Sequence, residues 1–202
     1  MPDYPPPDVK PKILLVINGK RKSGKDFVTD QLLQRLEKEK VAVFRIAVPI
    51  KHYWAVKNNL DFERLLDTSA YKEQHRFEMV KWSMEVRAEN YGYFPVEAIK
   101  MANAYDKPIW ICTDCRHSRD YEWFQEFYPD CLKRIKIRAD ESVRSSRGFK
   151  FTTGVDDGPS ECDLDHVTNW DLVVSNNGSE GDNVEESLNV ITNWIEDALK
   201  AP

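Results

Sequence analysis

The sequence predicts an α/β fold of three layers, with a central parallel sheet and helices on both faces. Short, continuously apolar runs such as Ile13-Leu14-Leu15-Val16-Ile17 recur along the chain. Strands buried on both faces of a parallel sheet read this way. Stretches of helical period lie between the runs. Strand and helix alternate along most of the chain, the order that gives a parallel sheet with right-handed crossovers.

The elements follow in order. After strand 13–17 comes a glycine-bearing loop, then a helix expected from Gly24 to Glu39 with Val28, Leu32, Leu33 and Leu36 as its apolar stripe. Val41 to Ala47 reads as a second buried strand. Pro49 can open the next helix, because a first turn does not need its N–H. Asp67, Thr68 or Ser69 can cap a long helix over 70–89. A shorter helix follows Pro95. Strand 108–114 precedes helix 118–127, and strand 134–138 precedes a short helix over 140–147. Strand 171–175 is the last, and helix 183–199 places Leu188, Ile191, Ile195 and Leu199 on one side. Segment 152–170, TTGVDDGPSECDLDHVTNW, reads as a loop, and one that long is often functional. Residues 1–11 are proline-rich and are expected to form a flexible tail before a single domain over 12–202. Ligands of such sheets bind at the carboxyl ends of the strands. The loops after Ile17, Ala47, Thr113, Arg138 and Ser175 are therefore expected to converge.

A formal net charge of −5 over 202 residues argues against a general nucleic-acid binder. No run approaches the roughly 18 apolar residues of a membrane span. The start lacks the apolar stretch of a signal peptide and the Arg/Ser pattern of a transit peptide, and Leu199-Lys200-Ala201-Pro202 is not a peroxisomal signal. A monomeric cytosolic protein is expected. Cys112, Cys115, Cys131 and Cys162 are read as free thiols: the one C-x-x-C has no second pair for zinc and lies in a strand.

Residues 19–26, Gly19-Lys20-Arg21-Lys22-Ser23-Gly24-Lys25-Asp26, follow G-x-x-x-x-G-K-[ST] at every position but the last, between a strand and a helix. Gly19 and Gly24 permit backbone angles that aim several N–H groups at one point, and the helix adds its positive end. Lys25 can reach the β- and γ-phosphates of ATP. Asp26 replaces the hydroxyl that ordinarily serves Mg²⁺; a carboxylate is also a good ligand, or it stabilises the helix start. Asp114 is either a partner acid for that metal or a helix cap. Lys20, Arg21 and Lys22 flank polyphosphate or form a solvated charge run. Lys72, Arg76 and Arg87 share one helix face, within about 60° at 100° per residue. They suit an anionic acceptor, or a salt-bridged surface with Glu73, Glu78 and Glu85. The basic stretch 133–150, with Arg144 and Arg147, looks like a lid, placed at about 138–150. Arginines brought in by its closure would neutralise a transferring phosphoryl group.

The segments GKRKSGKDFVT at 19–29, RLLDTSAYKE at 64–73, WSMEVR at 82–87, PIWICTDCR at 108–116 and RGFKFTTGVDDGPSECDLD at 147–165 resemble animal-type phosphomevalonate kinases. The resemblance covers nearly the whole chain. It implies the P-loop nucleoside-monophosphate-kinase fold and the reaction of ATP, with Mg²⁺, on 5-phosphomevalonate in isoprenoid and sterol synthesis. Lys20, Arg21, Lys22, Lys25 and Asp26 match the family's nucleotide loop, and Lys51, Arg76, Arg87 and Arg116 its basic acceptor positions. Arg144 and Arg147 match its lid arginines. Asn176 matches a position beside nucleotide and substrate. Asn177, where a histidine is usual, is a further candidate for ATP. Lys22, Lys25, Arg144 and Arg147 are the candidate catalytic residues. Val96 stands where the family has an arginine, His117 replaces a second arginine after Arg116, and Lys136 replaces another. Val96 cannot hold a phosphate, so that role is dispensable or falls to Arg119 or another base. A nucleoside-monophosphate kinase and a non-catalytic nucleotide-binding protein are the rival readings.

Overall fold

The computed structural model describes residues 8–66, 70–178 and 181–201. Among these, β1 (Ile13–Gly19), β2 (Val41–Phe44), β3 (Ile109–Cys112), β4 (Leu132–Arg138) and β5 (Leu172–Ser175) form one five-stranded sheet in the order β2-β3-β1-β4-β5. Every pairing is parallel, with Leu15 of β1 opposite Ile111 on one side and Lys133 on the other. The helices are α1 (Lys25–Leu33), α2 (Ala47–Asn58), α3 (Phe62–Leu66), α4 (Ala70–Glu89), α5 (Tyr93–Met101), α6 (Ser118–Phe127), α7 (Glu141–Ser146), α8 (Pro159–Cys162) and α9 (Val184–Lys200).

Side chains alternate across a strand, so β1 feeds two cores. Ile13, Leu15 and Ile17 pack with Val28 and Leu32 of α1 and Leu188, Ile191 and Ile195 of α9. Leu14 and Val16 join Phe44, Trp110 and the inner faces of α5 and α6 on the opposite side. Trp110 is fully buried, and its indole N–H donates to the Ala104 carbonyl at 2.8 Å. That bond removes the cost of burying the ring's polar end. A smaller cluster of Trp54, Leu65 and Met79 binds α2, α3 and α4 into one wall.

Several boundaries differ from expectation. α1 ends at Leu33, not Glu39. Beyond it the highly charged run to Lys40 offers only Leu36 to a core, and the backbone tightens into i→i+3 bonds from Arg35 to Leu32 and Leu36 to Leu33. β2 stops at Phe44 because Ile46 and Ala47 already begin α2. Pro49 and Pro95 lie within the first turns of α2 and α5, where an N–H has no acceptor. Segment 152–170 contains the short α8, entered through Gly158 and Pro159, and α3 is a helix that the periodicity did not reveal. The basic stretch from 133 to 138 belongs to the sheet. Arg134 grips Asp171 with two bonds of 2.8 Å, and the Lys136 ammonium lies over Trp170. The candidate caps Asp67, Thr68 and Ser69, positions 1–7 of the expected tail and the Lys72 side chain lie outside the described residues. The four cysteines are free thiols. No helix among the described residues is long and apolar enough to cross a membrane.

Candidate active site

The loops at the carboxyl ends of the strands meet. Asn18, next to last in β1, donates to the Cys115 carbonyl at 2.8 Å. Asp114, after β3, accepts the amides of Ile46 and Ala47 at 2.6 and 3.0 Å and so caps α2. The Asp140 amide donates to Asn177 at 2.8 Å, tying the end of β4 to that of β5.

At the centre, loop 19–26 turns through positive φ at Lys22 (63°) and Gly24 (85°). No side chain caps α1 at Gly24, so its first-turn amides are left without an intrahelical acceptor. The cradle is tight. A Cβ on Gly24 would stand 2.0 Å from Asn176 Nδ2, and one on Gly19 would stand 2.7 Å from Ser23 Oγ. The Ser23 hydroxyl is buried with no hydrogen-bond partner. The Lys25 side chain is 9% exposed, with its ammonium 3.1 Å from Asp26. Uncapped amides, an orphan hydroxyl and a buried ammonium suit a phosphate chain.

Arg147 and Asn176, both expected at the nucleotide, hold this loop from behind. Asn176 Nδ2 and Arg147 Nη1 donate to the Ser23 carbonyl at 3.0 and 3.3 Å. Arg147 Nη2 also donates to the Asn176 carbonyl at 2.9 Å. Arg144 Nε donates to the Arg21 carbonyl at 2.8 Å, and its guanidinium stacks 3.9 Å from the Phe149 ring centroid. Arg21 flanks the same ring at 6.0 Å. Asn177 does not contact the loop; it bonds Asp140 at the entry to α7. Lys22 is exposed at the loop's bend.

Beside the loop lies a cavity of about 280 Å³ that Arg21, Lys51, Arg76, Arg87 and Arg116 all line. The four acceptor bases expected from the sequence thus share one cavity. They are not equivalent. Arg87 is 6% exposed and grips the nearly buried Asp120 with bonds of 2.8 and 2.7 Å, so it forms a neutralised wall. Arg76 forms a two-bond ion pair with Glu73 on its own helix, both bonds 2.7 Å, which is the salt-bridged alternative realised. Ile46, Ile50, Met79 and Met84 supply the apolar lining. Val96 is a buried residue of α5 that packs into the core, and Arg119 pairs with Glu122 on the surface, so neither joins the cavity.

The Asp26 carboxyl is raised by partial burial, but the charge and hydrogen bond of Lys25, with Arg45 and Arg116 nearby, outweigh that and hold it below its usual range. It is an ionised, exposed oxygen donor. Each Asp114 oxygen accepts one amide and keeps lone-pair capacity for water. One or two carboxylates plus water and phosphate oxygens is a donor set that Mg²⁺ accepts, so these residues fit that ion. Among the described residues no three metal-binding groups converge. Phosphate oxygens and water would have to complete the shell.

The acids of segment 152–165, which sequence reasoning did not name as site residues, contact the loop and the residues beside it. Asp156 takes both contacts of the Arg21 guanidinium, at 3.1 and 2.9 Å, and Asp165 lies 2.6 Å from the Lys20 ammonium. Glu161 accepts the Arg21 amide at 3.2 Å and also bonds Arg116. Asp163 accepts the Ser118 amide at 2.6 Å. The available signal was charge complementarity between GKRKSGK and VDDGPSECDLD, which composition alone does not pair.

A phosphate cradle on the central strand, with a basic cavity opening beside it, defines a P-loop kinase acting on an anionic acceptor. The chain belongs to the phosphomevalonate kinase family. Residues 17–130 match the family described as "Phosphomevalonate kinase". The chain is 39% identical over 185 residues to the phosphomevalonate kinase of Drosophila melanogaster, covering 91% of this chain and 96% of the relative. Among solved structures, TT1252 from Thermus thermophilus shares the fold with a TM-score of 0.53 at 13% identity, over 91% of this chain and 98% of that one.

Proposed function

We propose that the protein transfers the γ-phosphoryl group of ATP to 5-phosphomevalonate, giving ADP and 5-diphosphomevalonate, on the route to isoprenoids and sterols. The observation that carries this reading is Arg21, a residue of the phosphate loop that also lines the neighbouring basic cavity. Donor and acceptor sites therefore adjoin. Among the described residues no Phe, Tyr or Trp ring lines that cavity, which favours a small aliphatic anion over a nucleobase that needs stacking.

In this mechanism the loop amides and Lys25 hold the β- and γ-phosphates, and Lys22 adds charge from the bend. Mg²⁺ held by Asp26 and Asp114 would supply positive charge at the phosphate oxygens. Lys51, Arg76 and Arg116 bind the acceptor's carboxylate and phosphate, with Arg87 shaping the wall. Arg144 and Arg147 reach the loop from the lid side; Arg147 and Asn176 brace the back of the loop that would cradle the nucleotide, and Asn177 holds the lid's entry through Asp140. The attacking phosphate oxygen is ionised at neutral pH, so no strong general base is needed. We further propose a cytosolic monomer that acts without nucleic acid or membrane. A net charge of −5 argues against a general nucleic-acid binder.

The test is ADP release with 5-phosphomevalonate, UMP, CMP, GMP and AMP as acceptors. Turnover confined to 5-phosphomevalonate is expected. Turnover confined to a nucleotide would replace the reading, and tight ATP binding with no transfer would leave a non-catalytic binder.

A further inference from the structure

We infer that Glu161 is a positioning residue for phosphoryl transfer, holding the acceptor-side Arg116 in register with the phosphate loop. The inference rests on the cavity being the acceptor site. One carboxylate serves both substrate sites: Oε2 accepts the Arg21 amide of the loop at 3.2 Å, and Oε1 accepts from Arg116 Nη1. Its side chain is 2% exposed, against 29% for that of Arg116. The buried partner is the fixed end of the pair, and the guanidinium at the cavity is the end it orients.

Glu161 is itself immobilised. It lies on α8, and Asp156, five residues before it, clamps the Arg21 guanidinium and accepts the Thr152 amide at 2.8 Å. On its other flank Asp163 accepts the Ser118 amide at the start of α6, and Asp165 reaches Lys20. The segment is thus bolted to the phosphate loop at Lys20 and Arg21 and to the end of β3 through Arg116 and Ser118. An arginine side chain has several rotatable bonds. Tying Arg116 through one carboxylate to the loop that holds the donor fixes the separation of acceptor and γ-phosphoryl. In-line transfer is sensitive to displacements on the order of 1 Å, which cost about 10²-fold in rate.

A carboxylate has a reason here that a carboxamide does not. The amide of Arg21 needs only an oxygen, but a glutamine would then turn its NH₂ toward Arg116, donor against donor. Glu161→Gln is therefore expected to lower kcat/KM for the acceptor by about 10–100-fold. The dissociation constant of a non-hydrolysable ATP analogue, measured by calorimetry, is expected to stay within about threefold, because the loop cradle and Lys25 remain. If Glu161 acts through Arg116, then in an Arg116→Gln background the same change should alter kcat/KM less than about twofold. A purely structural role predicts multiplicative effects and equal loss of both ligands. Full kcat/KM in E161Q, or multiplicative effects in the double variant, overturns the inference. Should E161Q not fold, Glu161→Asp keeps the charge but is too short to span both partners. It should lose at least about fivefold, and an unchanged rate would overturn the inference equally. The variants are compared on whichever phosphorylated acceptor the wild type turns over. Failure on 5-phosphomevalonate therefore strikes the proposed substrate, while failure of the cycle strikes Glu161.

Discussion

The Asn176 side-chain amide donates to the Ser23 carbonyl at 3.0 Å, fastening the residue after the last strand to the back of the phosphate loop. Gly24 is what lets the two approach. At φ 85° an L side chain is strained by about 1–2 kcal/mol, and a Cβ would collide with Asn176 Nδ2 at 2.0 Å. Gly24→Ala should therefore weaken binding of an ATP analogue by at least about tenfold and lower stability by about 2–3 kcal/mol in urea. Adding Asn176→Ala should recover part of the stability, since the collision is gone but the strain is not. No recovery in the double variant would contradict this account of the contact.

Lys25 is buried in the loop, with its ammonium 3.1 Å from the exposed Asp26. Lys25→Met keeps the buried stem and removes the charge. The far-UV spectrum and unfolding midpoint should change little, and kcat should fall by at least about 10²–10³. Substantial turnover in that variant would remove Lys25 from the mechanism.

Arg87 and Asp120 form a buried pair whose two ends come from α4 and α6. Asp120→Ala leaves the guanidinium without its counter-charge, at a cost of about 3–5 kcal/mol. Urea unfolding is the measurement. The acceptor KM should rise as the wall of the cavity loosens, while ATP binding stays near normal. A loss under about 1 kcal/mol would mean that the pair is not held as tightly as its bonds imply.

His117 lines the basic cavity, and its pKa is lowered from 6.5. Burial is the main cause, with Arg87 and Arg119 adding to it and Asp120 and Asp163 opposing it. The unfolded chain therefore takes up this proton at higher pH than the folded one. Between the lowered value and 6.5 the unfolded state binds more protons, so stability falls as pH drops through that window and levels off below it. His117→Asn retains an acceptor for the Arg119 amide but does not titrate. Its stability should fall less than that of wild type from about pH 7 to about pH 5. Parallel curves for the two proteins would show that His117 does not carry the effect. Asp163, also held low, titrates below 3.8 and outside this range.

The strand cores and the phosphate loop were legible because their signals are local. An apolar β-branched run, a glycine pair at fixed spacing and a following helix specify their geometry within a dozen residues. Arg87 shows where local reading stops. On a helical wheel it shares a face with Arg76, yet in the fold it turns to Asp120, which only the packing of α4 against α6 brings within 2.7 Å. Asp114 read equally well as metal partner or cap, and the cap it makes belongs to α2, a helix distant in sequence. The basic stretch 133–150 read as a strand followed by a short helix, and its strand does pair within the sheet between β1 and β5, which leaves only the part after Arg138 as the candidate lid.

The amino-acid sequence by itself determined the layer order, the nucleotide cradle at 19–26 and the supply of bases for an anionic acceptor, since short-range backbone preference and hydrophobic period are properties of neighbouring residues. The tertiary structure decided which of those bases face the cavity, which are neutralised by partners, and that the acids of 152–165 bind the loop to Arg116 and Ser118. Such pairings depend on the distance between charges far apart in the chain. Coulombic and hydrogen-bond energies take that distance from the fold, and no local pattern records it.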